Sequence, residues 1–362
     1  MPEIAEVGKR ISRVLAPDDS NIFGKVGTSG PEFEKALTGK KVIGSGRQGK
    51  YFWLLLDKPP HPVMHLGMTG WIHIRGQQTA YNRYEGRSKG DKDDWPPRFW
   101  KFQLETDSKP KVEVAFSDAR RFGRVRLVDC AAEDIRKHSP LVENGPDPVV
   151  DKDVFTEEYL KTKMRKKHIP IKALLLDQAV ISGIGNWVGD EIMYQAKLHP
   201  EQYCDDFDDS DIATLYNAVR YVCGTAVEKL GNSDEFPEDW LFKHRWGKGK
   251  KDAATTLPNG EKLTFITVGG RTSCVVPSIQ KKRGRTTTDD AKEETDGTGK
   301  ESKSQYFETS SKRKTSSKTV VEEQPTKKAK TPKAKAIKKV QDAPIPAPEP
   351  GRRRSTRLSA TK

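Results

Sequence analysis

The chain has 362 residues, enough for two or three domains, and a formal net charge of +14. Its four cysteines, which form no Cys-x-x-Cys pair, argue against a zinc ribbon or a disulfide framework and fit a reducing compartment. No apolar run reaches about 18 residues, and the N-terminus lacks the apolar core of a signal peptide. We therefore expect a soluble intracellular protein with no membrane contact.

The positive charge is concentrated at the C-terminus. Residues 281–362 contain 23 Lys and Arg against 11 Asp and Glu, whereas the rest of the chain contains 42 against 40. This segment is poor in hydrophobic residues, which predicts a disordered basic tail. Its runs at 327–330 and 352–354 resemble nuclear-import or nucleic-acid-binding patches, so we expect nuclear localisation and added, salt-sensitive DNA affinity.

The first residues offer a reactive amine. Removal of Met1 would expose the secondary amine of Pro2, with carboxylates nearby at Glu3 and Glu6. A terminal amine has a pKa near 8, so roughly a tenth is neutral at pH 7 and can attack an electrophilic carbon. An ordinary acidic start is the alternative interpretation. Apolar residues over 2–15 recur at helical spacing, which predicts an N-terminal helix.

Strand patterns follow, separated by glycine and proline. The predicted strands cover 41–44, 51–56, 62–66, 71–74, 99–105, 111–117 and 124–128, and a long polar loop covers 75–97. Many short strands with such punctuation favour a β-sandwich or a barrel.

Two segments in this half are candidates for DNA contact. Gly46–Lys50 is a basic, glycine-containing loop that could approach a phosphate, although a solvated hairpin has the same pattern. Asp118–Arg124 places arginines around Phe122 in a turn. Such a set can push a wedge into a base stack, or Phe122 can simply belong to the core.

The second half begins after a stiff linker at 139–149. Helical patterns cover 156–160, 170–182 and about 210–230. Gly183-Ile184-Gly185-Asn186 interrupts them, and we expect a new helix near Asn186 whose free N–H groups can bind a phosphate. A plain junction between helices is the alternative. Residues 257–277 predict a β-hairpin with Arg271 at its tip.

Four stretches occur together in one order: Pro2-Glu3, His65–Gly70, Arg120–Arg124 and Gly183–Asn186. Over about residues 2–280 the chain closely resembles the formamidopyrimidine-DNA glycosylase/endonuclease VIII family. The hairpin at 268–272 resembles the zincless finger of the plant and fungal branch.

The resemblance implies an α+β multidomain fold. It places an N-terminal β-sandwich with an N-terminal helix in 1–140 and a helix–two-turns–helix domain in 150–245. A zincless finger hairpin would occupy 246–280, before the disordered basic tail at 281–362.

The resemblance also implies a role for each matching residue. Pro2 would be the nucleophile at the sugar carbon that bears the damaged base, Glu3 the acid/base, and Glu6 a supporting carboxylate. Phosphate contacts would come from Lys50, Asn186 and Arg271. The remaining expected DNA contacts are His65 and the gap-filling Met68, Arg120 and Phe122. The chain departs from the family pattern at Ala5, where a proline is common, and at Gly8, which directly follows Val7.

The expected function is that of a bifunctional DNA glycosylase and AP lyase, which removes oxidised bases from damaged double-stranded DNA. We expect a monomer with no metal and no cofactor. One alternative is a non-catalytic DNA- or chromatin-binding protein that uses the same fold and tail. Another is an RNA-binding module. The Pro2-Glu3 start and the Arg–Phe wedge favour the enzyme.

Overall fold

The computed structural model describes residues 8–77, 95–248 and 256–283. Three segments named above therefore fall outside the described residues: the first seven residues, most of the loop at 75–97, and the tail from residue 284.

The N-terminal half is a β-sandwich of eight strands. These are β1 Ile11–Leu15, β2 Val42–Gln48, β3 Tyr51–Leu56, β4 His61–His65, β5 Trp71–Ile74, β6 Trp100–Thr106, β7 Glu113–Ser117 and β8 Arg124–Val128. One antiparallel sheet has the order β1-β6-β7-β5 and the other β2-β3-β4-β8. The predicted sandwich is confirmed. Its core lies between the sheets and contains Phe102, Phe116 and Val125.

The predicted N-terminal helix is wrong for residues 11–15, which form β1 and pair with β6. The three-residue spacing of the buried Ile11 and Val14 suggested a helix, but a register shift between Ile11 and Arg13 explains it. A β-bulge inserts one residue and turns both apolar side chains to the same face. The rest of that helix prediction, residues 2–7, falls outside the described residues.

The sequence interpretation missed a helix between β1 and β2, α1 at Gly30–Leu37. Its local signals are clear in hindsight. Ser29 is the N-cap and accepts a hydrogen bond from the Glu32 N–H, while the Ser29 hydroxyl donates to the Glu32 carboxylate at 3.0 Å. This arrangement is close to a capping box, and it brings the buried Phe33 and Leu37 into the sandwich core.

The second half is helical. It contains α2 Glu157–Arg165, α3 Ile171–Leu176, α4 Asn186–Gln195 and α5 Asp209–Glu228. Short 3₁₀ segments lie at Gly24–Val26, Ala132–Lys137, Cys204–Asp206, Ser233–Glu235, Leu241–Lys243 and Arg245–Gly247. The helix predicted over 170–182 ends early, at Leu176, because Asp177 begins a turn and accepts the Ala179 N–H at 3.1 Å.

A β-hairpin follows the helices and packs on α4. Its strands are β9 Thr264–Val268 and β10 Arg271–Val275, joined by Gly269 and Gly270 with φ of 55° and 71°. Two consecutive positive φ values are those of a type I′ turn, which suits the twist of a two-residue hairpin. None of the helices among the described residues is long and apolar enough to cross a membrane.

Candidate nucleic-acid interface

The two halves meet where the β2–β3 turn lies against the turn before α4. Gly49 in the first turn has φ +58°, and a Cβ placed on it would lie 2.7 Å from the Gly183 nitrogen. The Gly49 N–H donates to the carboxylate of the buried Asp147 at 2.8 Å. Lys50 then reaches across, and its Nζ donates to the Ile184 carbonyl at 2.9 Å. The absence of side chains on the two glycines is therefore what brings Lys50 to α4.

The first turn of α4 presents unsatisfied donors at the same place. Its N-cap, Gly185, has no side chain to cap the free N–H groups. Asn186 donates through Nδ2 to the Thr272 carbonyl of β10 at 2.9 Å, while its buried Oδ1 has no partner. An uncapped helix start with a positive dipole end is a ready site for a phosphate.

The hairpin brings Arg271 to this turn. Arg271 is the first residue of β10, opposite Val268, and its side chain is exposed. A Cβ on Gly269 would lie 3.3 Å from the Ala173 Cβ, so the hairpin tip lies close against α3. Lys248 Nζ donates to the Thr272 hydroxyl at 3.1 Å, which adds another cation beside the hairpin.

These cations perturb one another. Burial of its ammonium among protein atoms lowers the pKa of Lys50, and repulsion from Arg271 lowers it further. Burial also lowers the pKa of His65, with repulsion from Lys50 and Arg124. Because the Gly67 N–H donates to His65 Nδ1 at 2.9 Å, the imidazole is neutral with its proton on Nε2. A cluster of mutually repelling cations favours an anionic ligand.

A second group of side chains projects beyond this cluster. Met68 is 70% exposed and Phe122 is 45% exposed. The Arg120 guanidinium lies 4.7 Å from the centroid of the Phe122 ring. The loops that carry them touch, since a Cβ on Gly67 would lie 2.6 Å from the Phe122 carbonyl carbon.

The two neighbouring arginines have different partners. Arg121 donates from Nε and Nη2 to the two carboxylate oxygens of Asp19, each at 2.9 Å. Burial alone would raise the pKa of Asp19, but hydrogen bonds from Arg121 and Lys101 outweigh it and lower that pKa to about 2. Arg121 is thereby anchored to the sandwich with φ +56°, which leaves Arg120 over the aromatic ring.

The structure thus brings Lys50, Asn186 and Arg271 together, and it joins the Met68 loop to the Arg120–Phe122 loop beside His65. Pro2, Glu3 and Glu6 lie outside the described residues. Among the described residues, no group of three or more His, Cys, Asp or Glu side chains could hold a metal ion.

Comparison with known proteins identifies the family. Residues 1–125 match the formamidopyrimidine-DNA glycosylase N-terminal domain, and residues 144–236 match the formamidopyrimidine-DNA glycosylase H2TH domain. A formamidopyrimidine-DNA glycosylase of Arabidopsis thaliana is 37% identical over 79% of this chain and 72% of its own length. One of Dinoroseobacter shibae is 31% identical over 68% of this chain and 84% of its own length.

The chain belongs to the formamidopyrimidine-DNA glycosylase family. It is a DNA glycosylase of base excision repair. A solved Lactococcus lactis formamidopyrimidine-DNA glycosylase, bound non-covalently to DNA with an AP site, has the same fold. It superimposes with a TM-score of 0.60 at 23% identity, covering 78% of this chain and 96% of that one.

Behind the first turns of α4 lies a buried group of charged side chains, the clamp of Asp190, Lys172 and Arg245, which sequence reasoning missed. Asp190 of α4 accepts hydrogen bonds from Lys172, from Arg245 at 2.5 Å and from the Cys274 N–H of β10 at 3.2 Å. Lys172 also donates to the Asn186 carbonyl at 2.8 Å. Burial lowers the pKa of Lys172, and Asp190 opposes that shift.

The clamp ties three elements to the first turns of α4: α3, the 3₁₀ turn at 245–247 and the hairpin. The sequence signal in α4 was a pair of adjacent acids, Asp190-Glu191, next to the apolar residues Ile192 and Met193. Charged residues are almost never fully buried unless they are paired, and Asp190, Glu191 and Lys172 are each 0% exposed. A buried partner cannot be identified from sequence spacing alone, since Arg245 is 55 residues away.

Proposed function

We propose that this protein is a bifunctional DNA glycosylase and AP lyase that removes oxidised bases from damaged double-stranded DNA. The observation that supports it most is the convergence of Lys50, Asn186 and Arg271 from three separate elements at the uncapped start of α4. We also propose that it acts as a monomer in the nucleus, with its basic tail adding nonspecific DNA affinity.

The cluster of Lys50, Asn186 and Arg271, here called the phosphate-facing cluster, would hold the damaged strand. A phosphate at the first turn of α4 would accept bonds from helix N–H groups and from Lys50 and Arg271. Neutralising the mutual repulsion of these two cations makes their binding to the phosphate more favourable. His65 Nε2–H is a further donor on the same side, since Nδ1 is already occupied.

The second group would replace the base that leaves the stack. A base in a duplex must be flipped out before chemistry, which costs a few kcal/mol and less for a damaged base. Met68 and Phe122 are exposed apolar side chains that can fill the vacated space, while Arg120 faces the opposite strand. Apolar wedges of this kind stabilise an unstacked duplex.

The chemistry would come from Pro2. Its neutral nitrogen forms a bond to C1′ as the glycosidic bond breaks, and the base leaves with the proton that the Pro2 nitrogen gives up. Glu3 protonates the ring oxygen, which opens the sugar and leaves an iminium between Pro2 and C1′. The iminium acidifies the C2′ proton, so the 3′ and then the 5′ phosphate leave by β- and δ-elimination, and water releases the enzyme. Glu6 would support the acid/base.

Borohydride trapping tests directly whether Pro2 is the nucleophile. We expect the full chain, shown by intact mass to lack Met1, to become covalently attached to DNA containing an abasic site when borohydride is present. Pro2→Gly should trap less, because its amine is primary, and one extra N-terminal residue should abolish trapping. Normal cleavage of abasic DNA by the extended chain would show that Pro2 is not the nucleophile. Lesion-specific binding without trapping or cleavage would instead favour the non-catalytic alternative.

A further inference from the structure

One buried aspartate, through its carboxylate and its backbone N–H, joins three surface segments at the edge of the sandwich. Asp118 is 0% exposed and accepts hydrogen bonds from the Thr69 hydroxyl at 2.5 Å, the Arg120 N–H at 3.2 Å and the Gly123 N–H at 2.7 Å. Its own N–H donates to the Phe99 carbonyl at 3.1 Å. Thr69 before β5, Phe99 before β6 and Gly123 before β8 are thus tied to one residue.

Each of these segments carries an exposed apolar side chain. Two of them, Met68 and Phe122, belong to the gap-filling group, and the third is Phe99, which is 45% exposed. Phe99, like Phe122, has an arginine guanidinium over its ring. The Arg98 guanidinium lies 4.5 Å from the Phe99 centroid, as that of Arg120 lies 4.7 Å from Phe122. A cation held over an aromatic ring combines a stacking surface with a charge for phosphate.

The backbone of Phe99 is strained. Its φ is +61°, in the left-handed region that is unfavourable for a bulky side chain. Strain of this kind persists only where the surroundings fix it, and it concentrates at binding sites. Here the hydrogen bond from the Asp118 N–H to the Phe99 carbonyl holds the Phe99 backbone in place. A glycine would be relaxed at this position, so the ring is retained at a conformational cost.

The position of Phe99 follows from strand register. Tyr51, next to Lys50, pairs with His65, and His65 pairs with Arg124 at the start of β8. The loop with Phe122 leads into Arg124, and Phe99 adjoins the other end of that loop, since Trp100 pairs with Ser117 and the Phe99 carbonyl accepts the Asp118 N–H. With the damaged strand held at Lys50, Phe99 would lie across the Phe122 loop from it, on the side of the complementary strand.

We propose that Phe99, backed by Arg98, is a third member of the wedge and stacks on the unpaired base opposite the lesion. This inference rests on the proposed function, because it requires a flipped nucleotide held at the phosphate-facing cluster. The Phe99 ring provides the stacking face, and Arg98 neutralises a phosphate of the same strand. Asp118 anchors the backbone at Phe99 and on either side of Phe122.

The test combines one substitution with one change in the DNA. Phe99→Gly removes the ring and suits the observed φ. Two duplexes carry a tetrahydrofuran abasic analogue, one opposite cytosine and the other opposite a second tetrahydrofuran residue. We expect Phe99→Gly to weaken binding of the cytosine duplex roughly 5- to 150-fold, the range for loss of one base–aromatic stack. Binding of the duplex without the opposite base should be unchanged, and Phe99→Tyr should restore the wild-type affinity.

Several outcomes would overturn the inference. An equal loss on both duplexes would show that Phe99 only supports the loop, and no loss on either would show that it does not contact the base. Ile43→Ala is the matched control, since Ile43 is 43% exposed and lies at the end of β2 away from Lys50. Failure of the wild-type chain to bind or cleave lesion DNA would overturn the proposed function as well. An active wild type with an unaffected Phe99→Gly variant would overturn only this inference.

Discussion

Gly49 and Gly183 touch backbone to backbone, and both have positive φ, at +58° and +98°. A Cβ on Gly49 would lie 2.7 Å from the Gly183 nitrogen, while one on Gly183 would lie 3.2 Å from the Gly49 Cα. No side chain fits between the β2–β3 turn and the turn before α4. The contact therefore sets the distance from Lys50 to the first turn of α4.

We expect Gly49→Ala to weaken both folding and DNA binding. The new methyl group adds left-handed strain of about 1 kcal/mol and also collides with backbone that cannot move as a side chain does. Gly27→Ala is the matched control, because Gly27 has φ +80° with nothing within 4 Å of its Cβ position. Thermal unfolding and affinity for an abasic-analogue duplex would compare them. Equal effects of the two substitutions would show that the close approach is unimportant.

Most of the sandwich could be predicted from sequence because its strands are short, apolar and separated by glycine and proline. The finger hairpin could also be predicted, because Gly269-Gly270 between two strand-forming segments is typical of a two-residue β-turn. The first strand could not be predicted, because a bulge places Ile11 and Val14 at helical spacing. A bulge depends on the partner strand β6, which is about 90 residues away in sequence.

At the candidate site, too, the sequence predicted the residues but not the contacts between them. The motifs gave Lys50, Asn186 and Arg271, but not the reason they meet. That reason lies in long-range contacts: two glycines touching across the halves of the protein, and Asp190 joining Lys172, Arg245 and the hairpin. Such contacts carry no local periodicity. The different roles of Arg120 and Arg121 also required the structure, since Asp19 lies 102 residues from Arg121.

Asp190→Asn should be strongly destabilising. The substitution leaves Lys172 and Arg245 buried without their counter-charge, and breaking a buried ion pair from one side costs about 3–5 kcal/mol. DNA affinity should fall as well, because a single neutral amide oxygen replaces the carboxylate that accepts the Cys274 N–H, which weakens the anchor of the hairpin. Denaturant unfolding and duplex binding would measure the two effects. Asp134→Asn, at the surface pair with Lys137, is the control and should change neither. Wild-type stability for Asp190→Asn would contradict the clamp.

Glu191 predicts a pH-dependent stability. Burial raises its pKa to about 7, against hydrogen bonds from Gln195 and from the Phe242 and Leu241 N–H groups that favour the charged form. A raised carboxyl pKa contributes stability that is complete below the unfolded value near 4.5 and is lost as pH rises through 7. The contribution is about 3 kcal/mol.

We therefore expect wild-type unfolding free energy, measured by denaturant between pH 5 and 8, to fall with rising pH more steeply than that of Glu191→Gln. The exposed Glu143→Gln controls for the change of residue type. Parallel pH profiles for wild type and Glu191→Gln would show that the buried carboxyl does not titrate in this range.

Arg271→Ala should weaken binding of lesion duplexes by about 1–3 kcal/mol, as the loss of a charged hydrogen bond does. The slope of the logarithm of the binding constant against the logarithm of salt concentration should become shallower by the equivalent of about one phosphate contact. Removing Arg271 also removes a charge that lowers the pKa of Lys50, so that pKa should rise. Lys58→Ala, at the far end of β3 from Lys50, is the control and should leave lesion affinity unchanged. An unaltered salt slope for Arg271→Ala would contradict a phosphate contact.

We expect the choice of damaged base to depend on the connection that follows α5. This connection is firmly packed between residues 229 and 243: Phe236 is 3% exposed, Trp240 is 0% exposed, and Glu191 accepts the Phe242 N–H at 2.8 Å. A segment pinned in this way is poorly suited to close as a lid over a flipped base.

A flat, stable purine such as 8-oxoguanine should then be held with few base-specific hydrogen bonds, which gives little discrimination. Formamidopyrimidines and hydantoins are ring-opened or non-planar, so they stack less well and should flip more cheaply. We expect good activity on these lesions and on abasic sites, with poor activity on 8-oxoguanine. Single-turnover rates on duplexes that differ only in the lesion opposite cytosine would measure the preference. A rate on 8-oxoguanine equal to or above the hydantoin rate would contradict it, because a pinned connection would then not limit purine recognition.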